Sequence, residues 1–184
     1  NKFEATFAKD KFVGHIDINC IVNSNGIYPL EFTSRFGYPQ IQIQRAGILE
    51  PMGNFLYKIA KGENFKINTR KGFQVGAFIV VPPFPYQDKK TFNLFSKDAV
   101  VIVKKEMKEG VHPMHLKMIN NEWLITGDSG VPLLISGTGL TMRDAQKMMY
   151  NRINNVIVNN GYYRTDIGDR WFEDSDKLWS WGLL

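Results

Sequence analysis

Glu31, Thr33 and Arg35 occupy every second position of the stretch LEFTSRF (30–36). Side chains alternate across an extended chain, so a carboxylate, a hydroxyl and a guanidinium share one face of this strand. Phe32, Ser34 and Phe36 point the other way. A carboxylate two residues from a second oxygen ligand is a way to hold Mg²⁺ (or Mn²⁺). Hard divalent cations take one or two carboxylates together with substrate phosphates. Arg35 is then placed to meet a phosphate oxygen. The pattern E-x-T-x-R is short, and an ordinary solvated strand face would carry it equally well.

The elements that position this row begin upstream. FVGHIDINCIV (12–22) reads as a strand with Ile16, Ile18 and Cys20 on one face and His15, Asp17 and Asn19 on the other. NSNG (23–26) is a hairpin turn, because Asn and Gly tolerate positive φ. The return strand brings Asp17 and Asn19 towards Glu31 and Thr33 if the strand register permits, which adds both to the candidate metal ligands. YPQIQIQRAG starts a short helix with Pro39 in its first turn. A second helix runs from about Glu50 to Ala60, with Leu56, Ile59 and Ala60 at helical spacing and Gly62 closing it.

Past NTRKG (68–72) the chain turns to β character. FQVGAFIVVPP is a buried strand ended by prolines, and DAVVIVKKEM, HLKMI, WLITG and GVPLLISGTG follow. Short strands broken by Gly, Pro and Asn predict a compact antiparallel sheet. TMRDAQKMMYNRINNVIVNN is a helix. Thr141 and Asp144 open it, Ala145, Met149, Ile153 and Val156 line one side, and Gly161 is its stop. The fold class is α+β, with a boundary near residue 70.

The chain has 184 residues, 43% of them hydrophobic and 13% aromatic, enough to bury a core. A net charge of +5 favours an anionic partner such as a phosphate compound, a nucleic acid or a membrane surface. The single cysteine, Cys20, forms no intrachain disulfide and fits a cytoplasmic protein; in its apolar strand it reads as buried and inert. There is no secretory leader and no apolar run near about 18 residues, so no membrane partner is expected. The opening NKFEATFAKDKF carries no start signal, and a fragment of a longer polypeptide is expected.

GIYPLEFTSRFGYPQIQ resembles the metal-binding segment of phosphoribosylamine–glycine ligase, an ATP-grasp enzyme, which carries G-P-x-V-x-E-F-N-x-R-F-G-D-P-E-x-Q there. Two further segments agree in order. RAGILEPMGNFLYKIAKG resembles the helical pair that follows the metal strand. GTGLTMRDAQKMMYNRINNVIVNNGYYRTDIGDRW (137–171) resembles the family's G-x-T-L-x-E-A helix and its closing Y-R-x-D-I-G.

The resemblance implies a C-terminal part of an ATP-grasp domain, an antiparallel sheet with helices, over residues 1–70. A small mixed sheet-and-helix ligase domain follows over 71–184. It implies ATP, glycine and phosphoribosylamine as substrates, joined through an acyl phosphate, and an upstream ATP-grasp half as partner, since the lid and the adenine hinge lie before this segment. Glu31 matches the family's metal carboxylate, Thr33 stands at its metal-binding Asn, and Arg35 matches its Arg, a catalytic and phosphate-binding group. Tyr38 replaces an Asp and Gln40 a Glu, which removes negative charge beside the site.

Other polar groups read more plainly. His112 and His115 are strand-end histidines rather than a metal pair. GTGLT is a turn with a helix cap, although a Gly-rich turn opening a helix also suits phosphate. Arg164, Asp166, Asp169 and Arg170 form a local ion-pair network, with a substrate-side role for Arg164 as the sharper reading. Trp171, Trp179 and Trp181 pack the tail onto the body. The competing function is a non-catalytic basic module for nucleic acid or a protein partner. Nucleic acid is not favoured, because the basic residues are scattered and do not interleave with aromatics.

Overall fold

The computed structural model describes residues 4–104 and 109–184. A short helix, α1 (Glu4–Lys9), precedes a hairpin of β1 (Asp17–Asn23) and β2 (Gly26–Thr33). Two residues, Ser24 and Asn25, make the turn; the positive φ falls on Gly26, at 133°, and Asn25 N donates to Asn23 Oδ1 at 2.8 Å. Then come α2 (Gln40–Gly47) and α3 (Met52–Ala60), the latter closed by Gly62 at φ 67°. The β-rich part contains β3 (Phe73–Ile79), α4 (Lys89–Phe95), β4 (Val100–Val103), β5 (Val111–Pro113), β6 (Leu116–Ile119), β7 (Glu122–Ile125) and β8 (Leu133–Gly139). It ends with α5 (Met142–Ile153), β9 (Val156–Val158) and α6 (Arg170–Ser180). Among these residues no helix is long and apolar enough to cross a membrane. Residues 105–108, which include the end of the DAVVIVKKEM segment, lie outside the described residues.

The expected α+β class and antiparallel pairing are borne out. Besides the hairpin there are two antiparallel sheets, in strand orders β3-β8-β5 and β6-β7-β4-β9. β8 is the central strand of the first, and Leu133, Leu134 and Ile135 are fully buried. It is covered on both faces. Gly76 of β3 lets Ile43 of α2 approach, since a Cβ there would lie 2.7 Å from Ile43 Cγ1. On the opposite face Val75, Ala77 and Ile135 join Ala145, Met149 and Ile153 of α5 in the core. α2 thus packs on strands that lie beyond residue 70.

Thr141 caps α5 as its sequence predicts: Asp144 N donates to Thr141 Oγ1 at 3.2 Å, and Thr141 Oγ1 donates to Asp144 Oδ2 at 2.7 Å. The helix is shorter than expected. It stops at Ile153, and Val156 lies in β9, paired with Val103 of β4. Three consecutive β-branched residues gain more from completing a sheet edge than from extending a helix. Gly161 accordingly follows a strand rather than stopping a helix.

Three further expectations are corrected. Cys20 is exposed, because the hairpin has only two strands and no described layer covers it. Phe55, not Leu56, is the buried anchor of α3. Trp171 does pack inward, its ring 4.8 Å from that of Phe73, but Trp179 is 64% exposed on α6.

Candidate functional site

The hairpin register decides where the polar row sits. Asn19 pairs with Glu31 and Asp17 with Thr33. Directly opposed residues of an antiparallel pair project to the same side. One face therefore carries two carboxylates, an amide and a hydroxyl, while Ile18 and Phe32, also opposed, take the other. A β-bulge follows at once, where Cys20 pairs with Pro29 and Leu30 is left over. Such bulges twist a strand and re-aim its side chains.

Beyond the strand, the turn closes on this face. Gly37 is buried, and a Cβ on it would lie 2.8 Å from Gln40 Oε1 and 3.0 Å from Asp17 Oδ2. Only glycine leaves room for both oxygens here. Arg35 is exposed and donates to the carbonyl of Phe36 at 3.1 Å. Beneath it, His15 stacks on Phe36 at 4.4 Å, and the buried His15 Nε2 has no hydrogen-bond partner among the described residues.

All five residues singled out in the sequence thus belong to one hairpin and its exit. Among the described residues no group of three or more His, Cys, Asp or Glu gathers. The donor set is oxygen-only with two carboxylates, which suits Mg²⁺ or Mn²⁺ and not a soft metal. The structure adds neighbours that sequence spacing does not reveal. Tyr38 lies 6.2 Å, ring to ring, from Phe78 of β3. Next to it, a cavity of about 340 Å³ is lined by Pro39, Gly76, Phe78, Phe84, Tyr162 and Arg164, among others.

Arg164 holds Asp166 through two bonds, of 2.9 and 2.6 Å, so the expected ion pair forms. The other half of the expected network divides. Arg170 pairs with Asp174, and Asp169 accepts from Gln146 Nε2 at 2.7 Å. Tyr150 Oη donates to the carbonyl of Arg164 and accepts from Ile167 N, which fastens this loop to α5.

His112 and His115 do not share a ligand. His112 Nε2 lies 2.9 Å from Ser136 Oγ, and His115 Nδ1 lies 2.7 Å from Ser129 Oγ. Burial, then the charges of Arg45 and Arg152, lower the His112 pKa below its ordinary 6.5. The folded protein thus keeps this imidazole neutral where the unfolded chain would protonate it. That stability is present above 6.5 and is lost as pH falls from there towards the folded value. Thermal unfolding between about pH 7 and about pH 5 should show a falling midpoint, flattened in His112→Gln.

The GTGLT turn serves packing and capping. A Cβ on Gly137 would lie 2.3 Å from Ala145 O, and one on Gly139 would lie 2.4 Å from Ala145 N. The glycines are there because α5 rests directly on the β8 backbone.

The fold is similar to those of solved ligase and carboxylase structures. It superposes on a phosphoribosylamine–glycine ligase from Thermotoga maritima with a TM-score of 0.66 and 20% identity, covering 82% of this chain and 36% of that one. The biotin carboxylase domain of a Hydrogenobacter thermophilus 2-oxoglutarate carboxylase follows at TM-score 0.58 and 12% identity, over 95% of this chain and 40% of that one. No family model matches.

Within that class the resemblance read from the motifs is borne out: this chain is similar to phosphoribosylamine–glycine ligase over most of its length. The Lactococcus lactis enzyme is 24% identical over 163 residues, 86% of this chain, and the Streptococcus pneumoniae enzyme 23% identical over 160 residues. The chain spans 37% of the length of the former and 36% of the latter.

Proposed function

We propose that this chain is part of an ATP-dependent carbon–nitrogen ligase that joins glycine to phosphoribosylamine in the cytoplasm. In this reading residues 1–70 complete an ATP-grasp domain and residues 71–184 form the ligase's C-terminal domain. The observation that carries it is the hairpin register, which opposes Asn19 to Glu31 and Asp17 to Thr33 on one face, with Arg35 at its exit. The similarity to phosphoribosylamine–glycine ligases supports the substrates. The H. thermophilus relative, solved with MgADP and bicarbonate, supports the nucleotide and the cation.

Glu31, Thr33, Asp17 and Asn19 would hold Mg²⁺ or Mn²⁺, whose charge offsets that of the phosphates. A glycine carboxylate oxygen attacks the γ-phosphorus of ATP, the bond to ADP breaks, and an acyl phosphate forms. The amine nitrogen of phosphoribosylamine then attacks the acyl carbon, phosphate leaves, and the nitrogen loses a proton to water. Arg35 turns from the Phe36 carbonyl to a phosphoryl oxygen and stabilises the charge that develops there. Arg164, at the rim of the cavity beside Pro39, stands on the substrate side. In this reading the upstream part of the polypeptide packs against the apolar face of the hairpin, where Ile18 is exposed. No observation favours the basic binding module.

Phosphate release by the complete polypeptide, with glycine and phosphoribosylamine, tests the departures at Thr33 and Tyr38. An amide oxygen reaches one bond further than a hydroxyl, so Thr33→Asn should lower the Mg²⁺ concentration for half-maximal rate severalfold at unchanged melting temperature. Tyr38→Asp returns a negative charge to the turn and should act in the same direction. Rates and Mg²⁺ dependence indifferent to both changes would mean that this face serves no metal.

A further inference from the structure

The far end of α2 carries a second polar cavity, of about 370 Å³, that the proposed ligase chemistry does not use. Three arginines from three places in the sequence converge on it: Arg45 of α2, Arg70 and Arg152 of α5. Backbone pairing brings the first two together, since Arg70 N donates to Gly47 O at 2.7 Å. Arg152 lies on the floor, its side chain only 15% exposed, and its NH1 donates to Ser136 O at 2.6 Å. Gly110, at φ 79°, makes room for it: a Cβ there would lie 2.2 Å from Arg152 NH1. His112, Ser136 and Thr138 complete the polar lining.

Against three guanidiniums the described residues of the lining offer one carboxylate, Glu109, which is 78% exposed and 4.0 Å from Arg152. Among the described residues neither the Arg45 nor the Arg70 side chain is in an ion pair. The positive field is felt inside: Arg45 and Arg152 add to burial in holding His112 neutral. Guanidinium forks match phosphate oxygens in pairs, and clustered arginines are costly to hold together without an anion.

We propose that this cavity binds a phosphate-bearing small molecule, with Arg45 and Arg70 closing on the phosphate from the mouth and Arg152 from the floor. The volume exceeds what a lone phosphate fills, so the ligand carries a body beyond its phosphate. The site is separate from the hairpin. Pro39, at the start of α2, borders the other cavity, and Arg45 is about 8 Å further along the helix axis than Gln40.

The test is calorimetric titration of the full chain with pyrophosphate, alongside NMR of its arginine Nε–H groups. Saturable binding that perturbs Arg45, Arg70 and Arg152 is expected. Arg45→Gln and Arg70→Gln, both at exposed positions, should each weaken it at least about tenfold without lowering the melting temperature. Arg35→Gln should leave it unchanged, which separates this site from the proposed ligase site. The proposal is overturned by any of three results: no saturable binding up to about 10 mM, binding unaffected in the Arg45→Gln/Arg70→Gln double variant, or perturbation confined to Arg35 and Arg164.

Discussion

In the complete polypeptide, Glu31→Gln should lower ATP-dependent ligation by roughly a hundred- to a thousandfold while leaving the fold intact. The side chain is exposed and opposes Asn19 across the hairpin, so the neutral amide meets no steric penalty. What changes is charge. Two carboxylates, Asp17 and Glu31, share this face, and removing one halves the negative charge that would draw a divalent cation to the phosphates. The deficit should appear in kcat as well as in the Mg²⁺ requirement, because the charge matters most when the phosphoryl group is in transit. Asn19→Ala, which removes a neutral ligand from the same pair, should cost less. Equal activity of wild type and Glu31→Gln at saturating Mg²⁺ would refute the proposed role of Glu31.

The second large effect is on stability. Gly137→Ala should destabilise the chain by about 3 kcal/mol, lowering the thermal midpoint by roughly 6–12 °C. The added methyl would stand 2.3 Å from Ala145 O and 2.5 Å from Met149 N, so it meets helix backbone and not a side chain that can turn away. α5 must lift from β8, and Ala145 and Met149, both fully buried, lose their packing. Gly53, near the start of α3, is the control, since nothing lies within 4 Å of a Cβ there. Gly53→Ala should instead stabilise by up to about 1 kcal/mol, because alanine has less backbone freedom to lose. Differential scanning calorimetry of both variants measures the contrast; equal midpoints would show that α5 does not rest on β8 as described.

Much of the site is legible in the sequence because it is local. Asn and Gly at 23–26 specify a two-residue turn, and strand alternation then dictates which side chains share a face. Alternation from that turn alone would oppose Asn19 to Leu30; the bulge at Cys20, which leaves Leu30 over, shifts the register and sets Asp17 and Asn19 on the face of Glu31 and Thr33. The α5 cap is local in the same way, with Thr141 and Asp144 three residues apart. The close contact of Gly37 with Asp17 and Gln40 is not legible, since nothing in FGYP indicates which oxygens will crowd its backbone.

The amino-acid sequence by itself determined the hairpin, the polar row along each of its strands, the start of α5 and the antiparallel character of the β-rich part. Each follows from interactions within a few residues, where turn geometry, periodicity and capping act. Only the tertiary structure decided where α5 ends, because Val156–Val158 have a strand partner in β4 and the spacing of Val156 still reads as helix. It also decided that Cys20 is exposed, since burial depends on a covering layer that alternation cannot announce. And it alone assembled Arg45, Arg70 and Arg152, which stand far apart along the chain. Their convergence depends on how α2, the segment at residue 70 and α5 pack around one sheet.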